Sequence, residues 1–275
     1  MKKLCIYHGN CADGFGAAWV VRKKYGDDVE FHAGTYQAPP PDVTGRDVIM
    51  VDFSYKKPVL EEMLSKAEGI YVIDHHKTAL EDLSSIHHEK FACVFDMHSS
   101  GAGLTWRTFF SGQEPPALIK HIEDRDLWKF ELEGTREIQA AVFSFPYDFE
   151  VWDKLMAMDA QDLRKDGIAI ERKHFKDIEE LLAVTTRRMI IGGFNIPVAN
   201  LPYIFSSDAG HKLATGEAFG ACYWDTPEGR VFSLRSTDAG QDVSAIAKQY
   251  GGGGHRNASG FKVSYDDAKA FEIAA

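Results

Sequence analysis

The fold class that this sequence predicts is α/β: two units joined by a helical linker, the first a doubly wound parallel sheet and the second smaller. Three observations carry the expectation. The short apolar runs at residues 4–7, 48–51 and 70–73 have no alternating polar face, the pattern of strands buried on both sides of a parallel sheet. Helical stretches between the strands give the order β-α-β-β-α-β, which right-handed crossovers wind into one open sheet. Past residue 190 the texture changes to short strands. The expected boundaries are 1–160 for the first domain, 161–190 for the linker and 191–275 for the second domain.

In chain order, residues 4–8 form a strand ending in His8. The stretch from Asn10 to Gly16 follows and opens a helix to about Tyr25, with Phe15, Ala18 and Trp19 on one face. Asp13 sits at the start of this helix, where it either caps it or points to a ligand. Residues 29–33 read as a strand, and the next strand ends at Asp52. A helix from about Pro58 reaches Ala67, Gly69 closes it, and residues 70–73 then run into Asp74-His75-His76. His87, His88 and His98 read as solvent-facing, around a short strand at 93–95. Ser99-Ser100-Gly101 opens a helix through Phe110, its serines placed to cap the helix or touch a phosphate. Another helix begins at Pro115-Pro116 and runs into Glu123-Asp124-Arg125-Asp126. A long helix is expected from Asp159 to about Arg188. Strands at about 195–199, 218–224 and 231–236 come next, then a helix at 243–250 and a last strand opening at Gly260-Phe261.

Composition narrows the functional classes. The chain has 275 residues, 44% hydrophobic and 26% charged, as in an ordinary globular protein. No run of about 18 apolar residues is present, so no membrane partner is expected. Met1-Lys2-Lys3-Leu4 leads straight into a strand without a signal-peptide pattern, and Cys5, Cys11, Cys93 and Cys222 form neither a metal-type pair nor a secreted disulfide framework. The expected location is cytoplasmic. A net charge of −10 argues against gripping long duplex nucleic acid, whose phosphates demand many Lys and Arg. A nucleotide partner would be small. The sequence leaves a homodimer open.

In open α/β sheets, ligands sit beyond the carboxyl ends of the strands. Here three such ends deliver His8 with Asp13, then Asp52, then Asp74-His75-His76. Carboxylate oxygen with imidazole nitrogen suits Mn²⁺, Mg²⁺, Zn²⁺ or Fe²⁺, and acids gathered at one edge repel without a cation. In the second unit, Gly251-Gly252-Gly253-Gly254-His255 suits a loop whose amides wrap a phosphate, with His255 and Arg256 as charge-assisted donors. Arg235-Ser236 makes a second anion contact.

Taken together these motifs resemble the DHH phosphoesterase superfamily. His8 to Asp13-Gly14, Asp52, Asp74-His75-His76 and Glu123-Asp124-Arg125-Asp126 follow the order of its four motifs. Arg235-Ser236, the segment 242–247 and the segment 251–260 resemble its C-terminal DHHA1 domain. The resemblance implies metal-dependent hydrolysis of a phosphoester in a small nucleotide or short oligonucleotide: a nanoRNA, a linear dinucleotide, or the 3′-phosphate of a bisphosphate nucleotide. A cyclic dinucleotide, and a nucleotide-binding protein that has lost catalysis, are the alternatives. It implies one or two ions, usually Mn²⁺, held by His8, Asp13, Asp52, His75 and Asp124, with Asp52, Asp74 and His76 catalytic. Arg235, Ser236, Gly252, Gly253, Gly254, His255 and Arg256 would bind substrate. One departure stands out. Cys11 occupies a position where the family carries a second Asp, so a thiolate or a shifted His8 would have to replace a ligand, or only one metal binds tightly. Asp124 aligns with the fourth motif better than Asp126.

Overall fold

The computed structural model describes residues 3–36 and 38–272. The chain divides into two compact units, Met1–Glu171 and Arg172–Ala275.

In the first unit, β1 (Lys3–His8), β2 (Val29–Gly34), β3 (Asp47–Val51), β4 (Gly69–Asp74) and β5 (Phe91–Phe95) form one sheet in the order β2-β1-β3-β4-β5. Every pairing is parallel. Helices α1 (Ala12–Tyr25), α2 (Lys57–Leu64), α3 (Lys77–Leu83), α4 (Gly101–Phe109), α5 (Ala117–Asp126), α6 (Thr135–Val142) and α7 (Phe149–Ala157) complete the unit, with the start of α8 (Ala160–Thr185). The strands are apolar throughout because both faces are covered. Cys5, Ile49, Val51 and Ile73 join a core with α1, α4, α5 and α7, while Leu4, Ile6, Val48, Met50, Ile70 and Val72 join another with α2. That alternation is the period of two that a pleated strand imposes. The sheet is therefore doubly wound, as the sequence predicts. In this strand order the winding reverses between β1 and β3, which opens a crevice at their carboxyl ends.

The second unit is a six-stranded sheet in the order β10-β11-β9-β8-β7-β6. Its strands are β6 (Thr186–Ile191), β7 (Phe194–Asn200), β8 (Gly220–Thr226), β9 (Gly229–Arg235), β10 (Gly253–Gly254) and β11 (Ala258–Val263). Only the β7–β8 pairing is parallel. Helices α9 (Ser206–Ala214), α10 (Val243–Lys248) and α11 (Tyr265–Ala268) accompany it.

Several elements differ from the sequence expectation. The long helix stops at Thr185, and Thr186–Ile191 pairs with β7 instead of continuing it. Gly192 and Gly193 have φ of 59° and 84°, the left-handed pair that closes a two-residue hairpin, so tertiary pairing claims a segment whose charge pattern reads as helix. Helices α3, α6, α7, α9 and α11 are not among the elements that the sequence predicts. Gly253 and Gly254 are strand rather than loop: they pair antiparallel with Gly260 and Ser259. Among the described residues no helix is long and apolar enough to cross a membrane.

Candidate metal centre

The crevice between β1 and β3 is where the ionisable side chains meet. Asp52 follows β3 directly, with a left-handed φ of 54° that costs a non-glycine residue about 1–3 kcal/mol. Its amide donates to Ile73 O at 3.0 Å, which holds the strained residue against the end of β4. A Cβ at Gly101 would overlap the Asp52 side chain, so only glycine lets the start of α4 lie this close.

Asp52 uses both oxygens. Oδ1 lies 3.1 Å from His75 Nε2 and 3.9 Å from His76 Nδ1, and Oδ2 lies 3.4 Å from His8 Nδ1. His75 Nε2 is also 3.6 Å from Asp13 Oδ2 and 3.6 Å from Asp126 Oδ2. Two groups of donor atoms result, each spanning less than 4.8 Å: His8, Asp52 and His76 in one, Asp13, His75 and Asp126 in the other. Asp52 joins them.

The surrounding residues fix these side chains. Asp13 accepts from Gly101 N at 2.5 Å and from Ala102 N at 2.9 Å. It thus accepts from the first amides of α4 rather than of its own helix, and its oxygens also face His75. Asp74 Oδ1 accepts from His75 N at 2.7 Å and pairs with His76 Nδ1 at 2.7 Å, a carboxylate that orients an imidazole. Asp74 is 0% exposed, and its Oδ2 has no hydrogen-bond partner among the described residues. An orphaned, fully buried carboxylate oxygen is costly, and a cation or a water it holds is the usual remedy.

Electrostatics point the same way. Burial and the charges of Asp126 and Asp52 push the Asp13 carboxyl well above the usual range. Burial raises Asp126 too, with Asp52 adding to it against the pull of His75. Burial works against ionisation of Asp52, yet the His75 and His8 hydrogen bonds hold it below the usual range. Burial opposes charge on His75 and His8, but hydrogen bonds with Asp52 and the neighbouring groups raise both well above an ordinary histidine. Hard carboxylate oxygens and borderline imidazoles in two groups, one of them reaching the other through Asp52 and His75, fit a divalent ion.

For the fourth acid, motif position favours Asp124 over Asp126, whereas the structure sets Asp126 Oδ2 3.6 Å from His75 Nε2 and gives Asp124 other partners. Asp124 is 5% exposed and accepts from Glu131 N at 2.8 Å, Leu132 N at 3.1 Å and Thr135 Oγ1 at 2.6 Å. Its backbone carbonyl accepts from Lys129 N and Phe130 N as well. Asp124 therefore anchors the loop after α5. That loop carries Trp128 and Phe130 at left-handed φ of 57° and 52°. Two such residues cost about 1–3 kcal/mol each.

Cys11 belongs to neither donor group. It takes the N-cap position of α1 without capping it and hydrogen-bonds the His8 ring, while burial raises its thiol. Tyr36, which the sequence reading passes over, lies edge-on to His8 at 5.2 Å and to His76 at 6.2 Å. It is 48% exposed. An aromatic two residues beyond a strand end in a sheet of this kind is the only local signal for it.

The second-unit candidates cluster at one end of β9 and the β10–β11 hairpin, where Arg235 pairs with Ala258. Arg235 donates to Ser207 Oγ at 2.8 Å, Ser233 Oγ at 2.9 Å and Leu234 O at 2.9 Å. Ser236 is buried, and its amide donates to Asn257 O at 3.0 Å. Arg256 is exposed and donates to Asp238 O and Gly240 O at 3.1 and 3.2 Å. A Cβ at Gly252 would overlap Gly260 O, and Gly254 has φ of 135°, so close strand pairing by itself demands these two glycines. His255 N donates to Ala258 O at 2.8 Å.

No known family model matches the chain. The uncharacterized protein R106 of Acanthamoeba polyphaga mimivirus is 34% identical over 286 aligned residues, covering 95% of this chain and 67% of that protein. The chain belongs to the R106 family. Among solved structures, RecJ of Thermus thermophilus, determined in complex with Mn²⁺, resembles this R106-family chain with a TM-score of 0.52 at 13% identity, over 98% of the chain and 51% of RecJ. The R106-family chain thus spans about half the length of RecJ. The pGpG-specific phosphodiesterase PggH of Vibrio cholerae matches over 98% of the chain and 95% of its own length, at 14% identity and a TM-score of 0.48. At these identities the likeness concerns fold alone: the R106-family chain shares with RecJ an α/β architecture, as the sequence predicts.

Proposed function

We propose that this R106-family protein is a metal-dependent phosphoesterase acting on a phosphoester of a small nucleotide or short oligonucleotide. The observation that supports it most is the pair of donor groups linked through the Asp52–His75 contact, with a buried Asp74 oxygen left unsatisfied beside them. Mn²⁺ in the complex of RecJ, which shares the fold, favours that ion here.

His8, Asp52 and His76 would hold one ion, and Asp13, His75 and Asp126 a second. A divalent ion there supplies Lewis acidity, lowering the pKa of a bound water and offsetting phosphoryl charge. The chain's own residues do the rest. Asp52 lies between both groups and keeps its charge, so it fixes their separation. Asp74 holds the His76 ring through Nδ1; with the proton on that nitrogen, the lone pair sits on Nε2. Asp13 accepts from Gly101 N and Ala102 N and so ties the start of α4 to the site. We assign substrate contacts to Arg235, Ser236, Gly252, Gly253, Gly254, His255 and Arg256, the second-unit edge where polar donors gather, and a cytoplasmic setting consistent with four free cysteines.

The test is release of product from linear dinucleotides, short oligomers, a 3′,5′-bisphosphate nucleotide, cyclic dinucleotides and pyrophosphate, each with Mn²⁺ and with chelator. Hydrolysis that needs Mn²⁺ and disappears in Asp52→Asn is expected. Hydrolysis that persists in Asp52→Asn, or none on any of these with Mn²⁺ bound, rejects the reading. The second outcome would leave a nucleotide-binding protein.

A further inference from the structure

Two residues beyond Asp126, the loop pinned by Asp124 displays a ladder of rings and guanidinium groups that the metal centre does not use. Trp128 and Phe130 meet edge-on at 5.0 Å and 79°. Arg136 lies 3.6 Å from the Phe130 ring centre and 5.7 Å from that of Trp128. Arg125 lies 4.6 Å from Phe143 and 5.9 Å from Trp128. A carbon-to-centroid distance of 3.6 Å is a stacking separation, so the planar guanidinium of Arg136 lies against the ring. Phe143 is 45% exposed, and Trp128, Phe130, Arg125 and Arg136 are all partly exposed.

Both aromatics sit at left-handed φ, and the backbone bonds that hold them there all converge on Asp124 and Arg125. Strain held by surrounding structure is characteristic of functional positions. Alternating aromatic faces and guanidinium planes are the surface on which unpaired bases stack, because every base offers a π-face. The charges nearby select the base over the phosphate. Lys129 and Glu131 are exposed beside the ladder, and Glu133 and Glu137 pair with Arg164 at 2.7 and 3.4 Å. A phosphate gains little from so mixed a field, whereas a neutral base loses nothing to it.

We infer that Trp128, Phe130, Arg136 and Arg125 form a base-stacking subsite for a single-stranded oligonucleotide whose scissile phosphate lies at the centre containing Asp126. The ligand class rests on the phosphoesterase reading; the subsite itself rests on the ladder. It favours oligomers over a lone mononucleotide, since a base beyond the reacting phosphate is what the ladder holds.

The test is equilibrium binding, without turnover, of a fluorescein-labelled single-stranded pentanucleotide and its abasic counterpart in EDTA. Arg136→Gln and Phe130→Leu should each lower the ratio of base-bearing to abasic affinity by about tenfold, in the range measured for loss of one stacked base. Binding of the base-bearing oligomer should also quench tryptophan emission in the wild type but less so in Trp128→Phe, where a fold defect is not expected. Unchanged ratios in both arginine and phenylalanine variants, or equal quenching in Trp128→Phe, overturn the subsite. So does self-association of the protein alone that Arg136→Gln abolishes, which would give the surface to a second copy. A base-dependent ratio without Mn²⁺-dependent hydrolysis keeps the subsite and removes the phosphoesterase; hydrolysis without base dependence does the reverse.

Discussion

Exchanging Asp124 and Asp126 for asparagine, one at a time, separates an anchor from a ligand. Asp124→Asn removes one acceptor from a carboxylate that takes Glu131 N on Oδ1 and both Leu132 N and Thr135 Oγ1 on Oδ2. The amide nitrogen then faces a donor, and the bonds that survive lose their ionic character. A lost charge-assisted bond and a buried donor without a partner together cost about 3 kcal/mol. For a unit of this size that lowers the melting temperature by about 6–12 °C. Mn²⁺ should still stabilise what folds. Asp126→Asn should do the opposite. Its carboxyl is already pushed up by burial and by Asp52, so neutralising it relieves repulsion and leaves melting in EDTA unchanged or higher. Mn²⁺ at 100 times the wild-type Kd raises stability by about 2.7 kcal/mol, but a hundredfold weaker site leaves only about 0.4 kcal/mol. Calorimetry with EDTA and with Mn²⁺ reads both. Full stability with no Mn²⁺ response in Asp124→Asn, or a full Mn²⁺ response in Asp126→Asn, would refute the assignment.

Two further outcomes follow from the same centre. His75, His8, Asp13 and Asp126 all have raised pKa values, so the metal-stripped fold binds more protons than the unfolded chain. Their contribution is complete at a pH below the unfolded values, about 4 for the acids and about 6.5 for the histidines, and is lost as pH rises through the folded ones. Chemical denaturation in EDTA should therefore find the protein more stable at pH 6 than at pH 8, and Mn²⁺ should reverse the order because it displaces protons; equal midpoints in EDTA would contradict the charge assignment. Gly101→Ala forces the start of α4 off Asp52, and should cost about 1–3 kcal/mol while weakening Mn²⁺ binding in a titration; a variant with wild-type affinity would show that the close approach is incidental.

Parts of this geometry can be read before any coordinate. The three apolar runs that end in Asp or His are legible because a strand buried on both faces has no other pattern, and its carboxyl end in a parallel sheet is an edge shared with its neighbours. That places His8, Asp52, Asp74, His75 and His76 together without knowledge of a single contact. The second unit is less legible. Its sheet is mostly antiparallel, and its pairings depend on turns: β6 is announced only by Gly192-Gly193, behind a stretch whose charges look helical. The glycine run illustrates an ambiguity that composition cannot resolve, since close strand pairing and phosphate binding both exclude side chains.

The contest between Asp124 and Asp126 shows where motif alignment and physics part. Successive residues of a helix turn by about 100°, so acids two apart face nearly opposite ways, and only one can reach the sheet. Ile119 and Ile122 are buried in the core between α5 and the sheet, and Asp126 falls seven and four residues after them, on their stripe. Asp124 falls with His121, three residues back, and His121 Nδ1 is 2.8 Å from the same Thr135 hydroxyl that Asp124 accepts from. Helical phase thus assigns each acid a side: one joins His75 and the charges at the strand ends, the other turns to the loop that follows. The strained loop then makes sense of the second assignment. Asp124 accepts from the amides of Lys129, Phe130, Glu131 and Leu132, while Arg125 O takes that of Trp128, so the acid that does not reach the metal centre shapes the surface beside it.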